Sequence, residues 1–469
     1  MVLKKKIAIF LVLVILIPLA FPLPVKAAAP FTDLVAQAAL LVEADTGTVL
    51  YERNKNIRHP ADGLAKVMTM ILALSAVDNG EASLGEIIEM TESALFDITS
   101  SSSTQKITVG EQMAFIDLLY CAFVGSANEA CNLIAEYIAG SVEEFVVLMN
   151  EHAGELGCER THFTNPHGQY DENQYTTALD QYMIYSEAIG YPLFEELSGT
   201  FRHTVENTNK ADSRRLNATN SLLNSGGKYY YRPCTSGLAS ITYEGGHSFA
   251  GFAESDGLSL IVIVLGSDVV MFEDDSAEMR NLTEARRLFE WGFSGFGWRT
   301  ILSSAELVGR AAVEHGAGAD YVNLRPDGEI RMLLDNDIPD KEFIRTITVY
   351  SEVSGETLTA PVQAGEVLGE LTVTRKGEDY GTVLLVANTS IELHRLEFMR
   401  MQIAEALAGP TVRVVIWVLV LLVAGYAALV IRYNVIRIRR ARRINETKRK
   451  LIEERYTNNE TDTKRPGYR

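Results

Sequence analysis

The sequence predicts an α+β fold, with a central antiparallel sheet and a helical lobe. Two blocks of strand pattern, residues 38–57 and 236–266, enclose a block of helical periodicity over residues 111–189. A further helical pattern over residues 276–295 closes this part of the chain. The order of strand pair, helices, strand run and helix is typical of an α+β domain.

The first strand pair is predicted to be a β-hairpin. Apolar and polar residues alternate on either side of the turn signal Asp45-Thr46-Gly47. Behind it, Pro60 stands ahead of a helical pattern that places Lys66 in the first turns of a largely buried helix. The apolar residues of this pattern, at i, i+3, i+4 and i+7, are Leu64, Val67, Met68 and Ile71.

The helical lobe is predicted from four further patterns. They cover residues 111–124, 128–138, 141–156 and 176–189. Ser141 is the expected N-cap of the third, with Glu144 completing a capping box. A polar region then extends to residue 224, before the strands resume with a hairpin at Asp256-Gly257.

From about residue 300 the sequence becomes rich in strand patterns and turn signals. Short runs such as Thr346–Tyr350 and Gly381–Val386 recur at the spacing of a small β-sandwich, which we assign to residues 300–395. Residues 396–412 are predicted to form an amphipathic juxtamembrane helix.

Both ends of the chain carry apolar segments. Lys4 to Lys6 precede an apolar run and a small-residue cleavage region, so residues 1–29 are predicted to be a signal peptide, with an uncleaved anchor as the alternative. Residues 413–432 are long and apolar enough for a transmembrane helix. The tail, residues 433–469, is basic, which places it in the cytoplasm and the main domains outside the cell. A buried soluble helix is the alternative for the apolar run.

Charge restricts the partners of the exported part. The chain has a net charge of −18, although residues 432–469 contain 13 basic and only 5 acidic side chains. The part outside the membrane is therefore strongly acidic, which excludes a nucleic-acid-binding protein. The four cysteines have apolar neighbours and no metal-type spacing, so we expect core packing, although export also permits disulfides. We expect no cofactor and no metal.

Lys66 is the first candidate for chemistry. A lysine near the start of a buried helix loses solvation, which lowers its pKa and makes it a base at neutral pH. The alternative is a lysine that extends to solvent.

The segment around Lys66 resembles a motif of a known enzyme family. His59-Pro60-Ala61-Asp62-Gly63-Leu64-Ala65-Lys66-Val67-Met68-Thr69 is similar to the Pro-Ala-Ser-x-x-Lys-x-Met-Thr box of serine D-alanyl-D-alanine carboxypeptidases, the low-molecular-mass penicillin-binding proteins (peptidase S11 type). In that family the serine three residues before the lysine is the nucleophile. Here that position is Gly63, or Asp62 if the alignment is anchored on Pro60-Ala61. Neither residue has a hydroxyl group.

Other motifs of the family follow in order. Ser126-Ala127-Asn128 resembles its Ser-x-Asn motif, which implies that Ser126 moves a proton and Asn128 holds the substrate amide. Residues 161–168 resemble its Phe-x-Asn-Pro-His-Gly loop, where we interpret His167 as structural. Residues 217–223 match its Asn-Thr-Asn-x-Leu-Leu segment.

The family's Lys-Thr-Gly motif is altered. Matching Gly237-Leu238 places Ala239 at the lysine and Ser240 at the threonine, and the resemblance assigns Ser240 and Thr242 to substrate binding. A rival alignment sets Thr235-Ser236-Gly237 on the motif. Neither supplies a lysine, which leaves Arg232 or Lys228 as cations that approach from another direction.

The resemblance implies a β-lactamase/penicillin-binding-protein-like domain over residues 30–298. It also implies peptidoglycan metabolism and the stem peptide as ligand. Because glycine can neither attack an amide nor form an ester, we expect a membrane-anchored homologue that has lost acylation. One alternative is an active carboxypeptidase with a nucleophile relocated to residues 100–103. Another is an envelope interaction protein that acts through its β-domain, anchor and tail.

Overall fold

The computed structural model describes residue 31, residues 33–271 and residues 277–460 of the chain. The predicted signal peptide lies outside these residues. The chain divides into two compact units. The first unit extends to Ile301 and also includes Arg331–Glu342, and the second comprises Leu302–Ile330 and the chain from Phe343 onward.

The described residues form twenty strands and ten α-helices. In chain order the strands are β1 (Ala38–Glu43), β2 (Val49–Arg53), β3 (His59–Pro60), β4 (Ile87–Glu89), β5 (Gln112–Ala114), β6 (Tyr175–Thr176), β7 (Arg202–Val205), β8 (Arg214–Asn217), β9 (Cys234–Thr242), β10 (Gly246–Ser255), β11 (Leu258–Ser267), β12 (Val269–Met271), β13 (Ala277–Met279), β14 (Phe296–Leu302), β15 (Gly309–Ala312), β16 (Tyr321–Pro326), β17 (Ile330–Asp335), β18 (Ile344–Val349), β19 (Val367–Arg375) and β20 (Glu378–Ala387). The helices are α1 (Ala65–Asp78), α2 (Phe115–Phe123), α3 (Asn128–Ala139), α4 (Val142–Glu155), α5 (Ala178–Ala188), α6 (Pro192–Gly199), α7 (Arg280–Gly295), α8 (Tyr350–Ser354), α9 (Arg395–Ala408) and α10 (Pro410–Glu460).

The first unit is built on a five-stranded antiparallel sheet with the strand order β2-β1-β11-β10-β9. The first strand pair and the late strand run therefore lie in one sheet, with β1 in register against β11 so that Leu40 faces Ile263. The strand β9 stands at the edge, where it pairs with β10 and brings Ala239 opposite Phe249. This edge lies beside a short 3-10 turn, Asp62–Leu64, that leads into α1.

Alternation along the strands gives the sheet two apolar faces. Leu40, Ile263 and Leu238 belong to the buried cluster that contains α1 and the other helices of the lobe. Leu41 and Phe249, on the opposite face, pack in the cluster that contains α7. Successive residues of a strand point to opposite faces, so each position on β9 is directed either toward the helical lobe or toward α7.

Most predicted helices of the lobe are present. Ser141 is the N-cap of α4, where its Oγ accepts a hydrogen bond from the Glu144 amide at 3.1 Å. Three helix starts were wrong: residues 112–114 form β5, residues 175–176 form β6 ahead of α5, and the closing helix begins at Arg280 after the strand β13. The polar region before residue 224 contains α6, β7 and β8, which were not predicted. The four cysteines are buried free thiols.

The second unit is β-rich, which confirms the predicted β-rich character of the region after residue 300. Its five-stranded sheet has the order β15-β16-β20-β19-β18. The helix α9 covers the segment predicted as juxtamembrane, and α10 continues well beyond the predicted transmembrane span. Within α10, in Arg413–Glu453, an 18-residue window has a mean hydropathy of 2.9, and this is the one helix of the described chain long and apolar enough to cross a membrane.

Candidate functional site

The candidate site lies where the 3-10 turn before α1 meets the edge strand β9. Gly63, in the middle of this turn, donates its backbone N–H to the Ser240 Oγ at 2.9 Å. A Cβ added at Gly63 would stand only 2.9 Å from that oxygen, closer than ordinary Cβ contacts. The space beside residue 63 is therefore occupied by a hydroxyl group from β9.

Lys66, in the first turn of α1, is 2 % exposed. Its Nζ donates to the Asn128 Oδ1 at 3.0 Å and to the main-chain oxygen of His167. Burial lowers the pKa of Lys66, while the neighbouring Glu129 acts in the opposite direction. The amine thus lies in an apolar setting and is held by two neutral acceptors, rather than extending to solvent.

The break between α2 and α3 places Asn128 at the site. A Cβ at Gly125 would lie 2.7 Å from the Cys121 carbonyl oxygen, so the close approach favours glycine. Ser126 follows in the left-handed region, with a φ of 54° and a half-buried side chain. Asn128 then starts α3, where its backbone N–H donates to the Ser103 backbone carbonyl at 2.9 Å. The structure brings Lys66 and Asn128 into direct contact, and Ser126 lies on the same loop.

His167 supports Lys66 from a buried loop. Its Nδ1 accepts the Gln169 amide at 3.1 Å, so the proton is assigned to Nε2, which donates to the Asp97 Oδ2 at 2.8 Å. Burial lowers the pKa of His167, and the Asp97 carboxylate partly opposes this. Burial by itself would raise the pKa of Asp97, but hydrogen bonds from His167 and Asn132 outweigh it and hold that pKa below its usual value.

Asp97 was missed by sequence reasoning. Seventy positions separate it from His167, and it belongs to no motif. The main-chain oxygen of His167 was missed as well, because a side-chain motif gives no signal for a carbonyl acceptor. Both were accessible only through the fold.

The strand β9 directs its two candidate residues to opposite sides. Ser240 points toward Gly63, whereas Ala239 is 3 % exposed and packs in the apolar cluster with Phe249 on the α7 face. Thr242 is the last residue of the strand, where its Oγ1 accepts a hydrogen bond from the Gly245 backbone N–H at 3.0 Å. The structure therefore brings Ser240 to Gly63 and does not bring Ala239 to Lys66.

Lys228 and Arg232 were considered as replacements for the motif lysine. The Lys228 ammonium is 5.3 Å from the centre of the Tyr229 ring. Arg232 is exposed, and among the described residues neither cation makes a hydrogen bond to Gly63, Lys66 or Ser240. Lys66 is thus the cation that the described contacts place inside the site. In the same residues, no group of three His, Cys, Asp or Glu side chains is arranged to hold a metal ion.

Known proteins resemble the chain in sequence and in fold. A family model described as D-alanyl-D-alanine carboxypeptidase matches residues 24–269. The D-alanyl-D-alanine carboxypeptidase DacF of Bacillus subtilis is 28% identical over 345 residues, which are 73% of this chain and 82% of that protein.

Two solved structures share the fold. Penicillin binding protein 5 from Haemophilus influenzae has a TM-score of 0.56 and 23% identity over 78% of this chain and 100% of its own. Penicillin binding protein 6B from Escherichia coli has a TM-score of 0.57 and 22% identity, over 77% and 99%. These similarities confirm the predicted penicillin-binding-protein-like fold.

Proposed function

The chain belongs to the D-alanyl-D-alanine carboxypeptidase family of peptidoglycan metabolism, and from this premise we propose that it binds stem peptides without cleaving them. The family name implies acyl transfer, which needs a nucleophile and a base in contact. In this proposal the protein retains non-covalent binding of the peptide and does not form the acyl-enzyme.

One observation carries the proposal. The buried amine of Lys66 donates to an amide oxygen and to a carbonyl oxygen, and neither can attack a peptide. Three residues earlier, Gly63 has no side-chain oxygen. A general base without a hydroxyl partner cannot generate the alkoxide that acylation requires.

A second feature acts in the same direction. In acyl transfer, the amide of the nucleophile's own residue commonly donates to the oxyanion of the tetrahedral intermediate. Here the Gly63 amide already donates to the Ser240 Oγ. The attacking hydroxyl is therefore missing, and the amide that would stabilise the oxyanion is already engaged in a hydrogen bond.

The serines at 100–103 are less well supported as relocated nucleophiles. The Ser102 Oγ donates to the Gln169 Oε1 at 2.6 Å, and Ser103 contributes its main-chain carbonyl to the Asn128 amide. Among the described hydrogen bonds, no hydroxyl of this segment reaches Lys66. A nucleophile there would lack its base.

Peptide binding is supported by the donors that remain. Two of the three N–H groups of Lys66 are used, and Asn128 accepts through its Oδ1, which leaves its Nδ2 to donate to a ligand carbonyl. The strand β9 is last in its sheet, so an extended peptide can pair along its outer edge.

The proposed location is the outer face of the cell membrane. The apolar part of α10 supports a single membrane anchor. The arginine-rich sequence after it supports a cytoplasmic tail, with the carboxypeptidase-like domain and the β-rich domain outside the cell.

A fluorescent penicillin and a D-alanyl-D-alanine peptide test the function together. We expect the purified full-length chain to show no covalent label and to release no D-alanine, yet to bind the peptide in calorimetry. Asn128→Ala should weaken binding by about tenfold, the effect of one or two hydrogen bonds. The matched control Asn173→Ala, at an exposed position, should not. A penicillin adduct on the native chain would overturn the proposal, as would peptide affinity that is equal in the two variants.

A further inference from the structure

A carboxylate beside the site is buried without a hydrogen bond of ordinary geometry. Asp62 is 1 % exposed, and neither of its side-chain oxygens has a hydrogen-bond partner of ordinary geometry. Its backbone is in the left-handed region, with a φ of 46°. An ionised carboxylate is unfavourable in such a place, so Asp62 favours either the neutral form or a rearrangement that brings solvent to it.

The cover over Asp62 is the turn between β9 and β10. A Cβ at Gly245 would fall 1.7 Å from the Asp62 Oδ2, so the main chain of the turn lies directly on the carboxylate. The Thr242 Oγ1 accepts the Gly245 amide and closes the turn on itself. From the other side the main chain at Gly168 packs against the Asp62 carbonyl, where a Cβ would lie 1.8 Å from its oxygen.

The charged groups around Asp62 favour its neutral form. The pKa of Asp62 is raised to about 6, mainly by burial; the neighbouring Thr242 hydroxyl acts to lower it, and the Glu244 carboxylate in the same turn acts to raise it. The packing contact from the loop at Gly168 is main chain and carries no charge. Lys66, which follows on α1, directs its amine to Asn128 and His167 instead.

We propose that the turn Thr242–Gly246 is a pH-gated cover over the site, closed on protonated Asp62 and lifted when Asp62 ionises. The turn begins two residues after Ser240, which caps the Gly63 amide. Lifting the turn therefore exposes the end of β9 beside Gly63. The device does not depend on the proposed peptide binding, since it requires only the carboxylate and the turn.

The sign and size of the effect follow from linkage. The closed turn raises the pKa of Asp62, so closure is favoured at low pH and is lost as pH rises through about 6. With an ordinary value of 3.8 in the open turn, the ratio of open to closed forms should increase about tenfold between pH 5.0 and pH 7.5.

Hydrogen exchange of the turn tests this without any ligand. In the full-length chain in detergent, we compare the exchange rate of the peptide covering residues 242–246 between the native protein and the Asp62→Asn variant. Taking the ratio of the two rates cancels the intrinsic pH dependence of amide exchange. The native-to-variant ratio should rise about tenfold from pH 5.0 to pH 7.5. A ratio that stays constant over this range would overturn the proposal.

A second variant covers the case in which Asp62→Asn misfolds. Gly245→Ala places a methyl group on the carboxylate and should hold the turn open at both pH values, with exchange fast and the native pH step absent. Gly85→Ala is the control, because a Cβ there meets nothing within 4 Å, and it should keep the native pH step. A Gly245→Ala turn as protected as that of the control would also refute the cover.

Discussion

Restoring a serine at position 63 tests the geometry of the site most directly. In Gly63→Ser the new Cβ would lie 2.9 Å from the Ser240 Oγ and 3.3 Å from the Ser240 Cβ. Ser240 must rotate away, which removes its hydrogen bond from the residue-63 amide, worth about 1 kcal/mol, and adds an overpacking penalty of about 1–3 kcal/mol. We therefore expect a less stable protein in which the new hydroxyl is poorly placed.

Removing the obstructing oxygen should rescue the variant. In Gly63→Ser with Ser240→Ala, the nearest contact relaxes to the 3.3 Å distance between the two Cβ positions. Because both changes remove the same hydrogen bond, the double variant should be less destabilised than the sum of the single variants by about 1 kcal/mol or more. Only the double variant should form a substantial penicillin adduct, mapped to position 63 by mass spectrometry.

The unfolding temperature and the yield of penicillin adduct test whether Ser240 obstructs a serine at position 63. For a domain of this size a change of 1 kcal/mol corresponds to about 2–4 °C in the unfolding temperature. Gly85→Ser is the control, because an added Cβ meets nothing there. If Gly63→Ser alone is as stable as the native chain and is labelled as fully as the double variant, then Ser240 does not occupy the nucleophile's space and the reasoning fails.

Three further predictions use the same structure. Ala239→Lys should lower the free energy of unfolding by about 3 kcal/mol or more, since it buries an unpaired ammonium beside Phe249. Ile241→Lys, at a half-exposed position, should change it little. Equal unfolding temperatures for the two variants would contradict the assigned faces of β9. Because the pKa of His167 is depressed in the folded protein, the stability that its neutral form contributes is complete above the ordinary pKa of 6.5 and is lost as pH falls. His167→Gln should therefore reduce the drop in unfolding temperature between pH 7.5 and pH 5.5. The control His152→Gln should leave that drop unchanged. A chain ended before Pro410 should fractionate without detergent while the full chain requires it, and a truncated chain that stays with the membranes would place the anchor elsewhere.

The fold was largely predictable because its signals are local. The hairpin β1–β2, the buried helix carrying Lys66 and the strands β10 and β11 each have an apolar pattern that stands out within a dozen residues. The short strands β4 to β8 did not, since two to four residues carry no usable period, and the pairings β3–β6 and β4–β5 join segments that are far apart in the sequence.

The site was predictable only as far as its motifs extend. The contact between Lys66 and Asn128 joins two motif residues, so the resemblance implied their proximity. The roles of Ser240 and Ala239 depend on which face of β9 each occupies, and that is set by the register against β10, including an irregularity near Phe252. A shift of one residue would exchange the two faces, and no composition or spacing rule fixes it.

The way in which Ser240 fills the site explains how a buried lysine is compatible with a glycine at position 63. An empty space beside Gly63 would leave its amide unsatisfied, at a penalty of about 1–3 kcal/mol. Ser240 removes that penalty through its hydrogen bond to the amide, while Asn128 and His167 satisfy the Lys66 amine. The Gly63 amide and the Lys66 amine thus have neutral partners, whereas neither carboxylate oxygen of Asp62 has a partner of ordinary geometry. On the proposed function, acylation would need two changes together, a serine at position 63 and a smaller side chain at position 240.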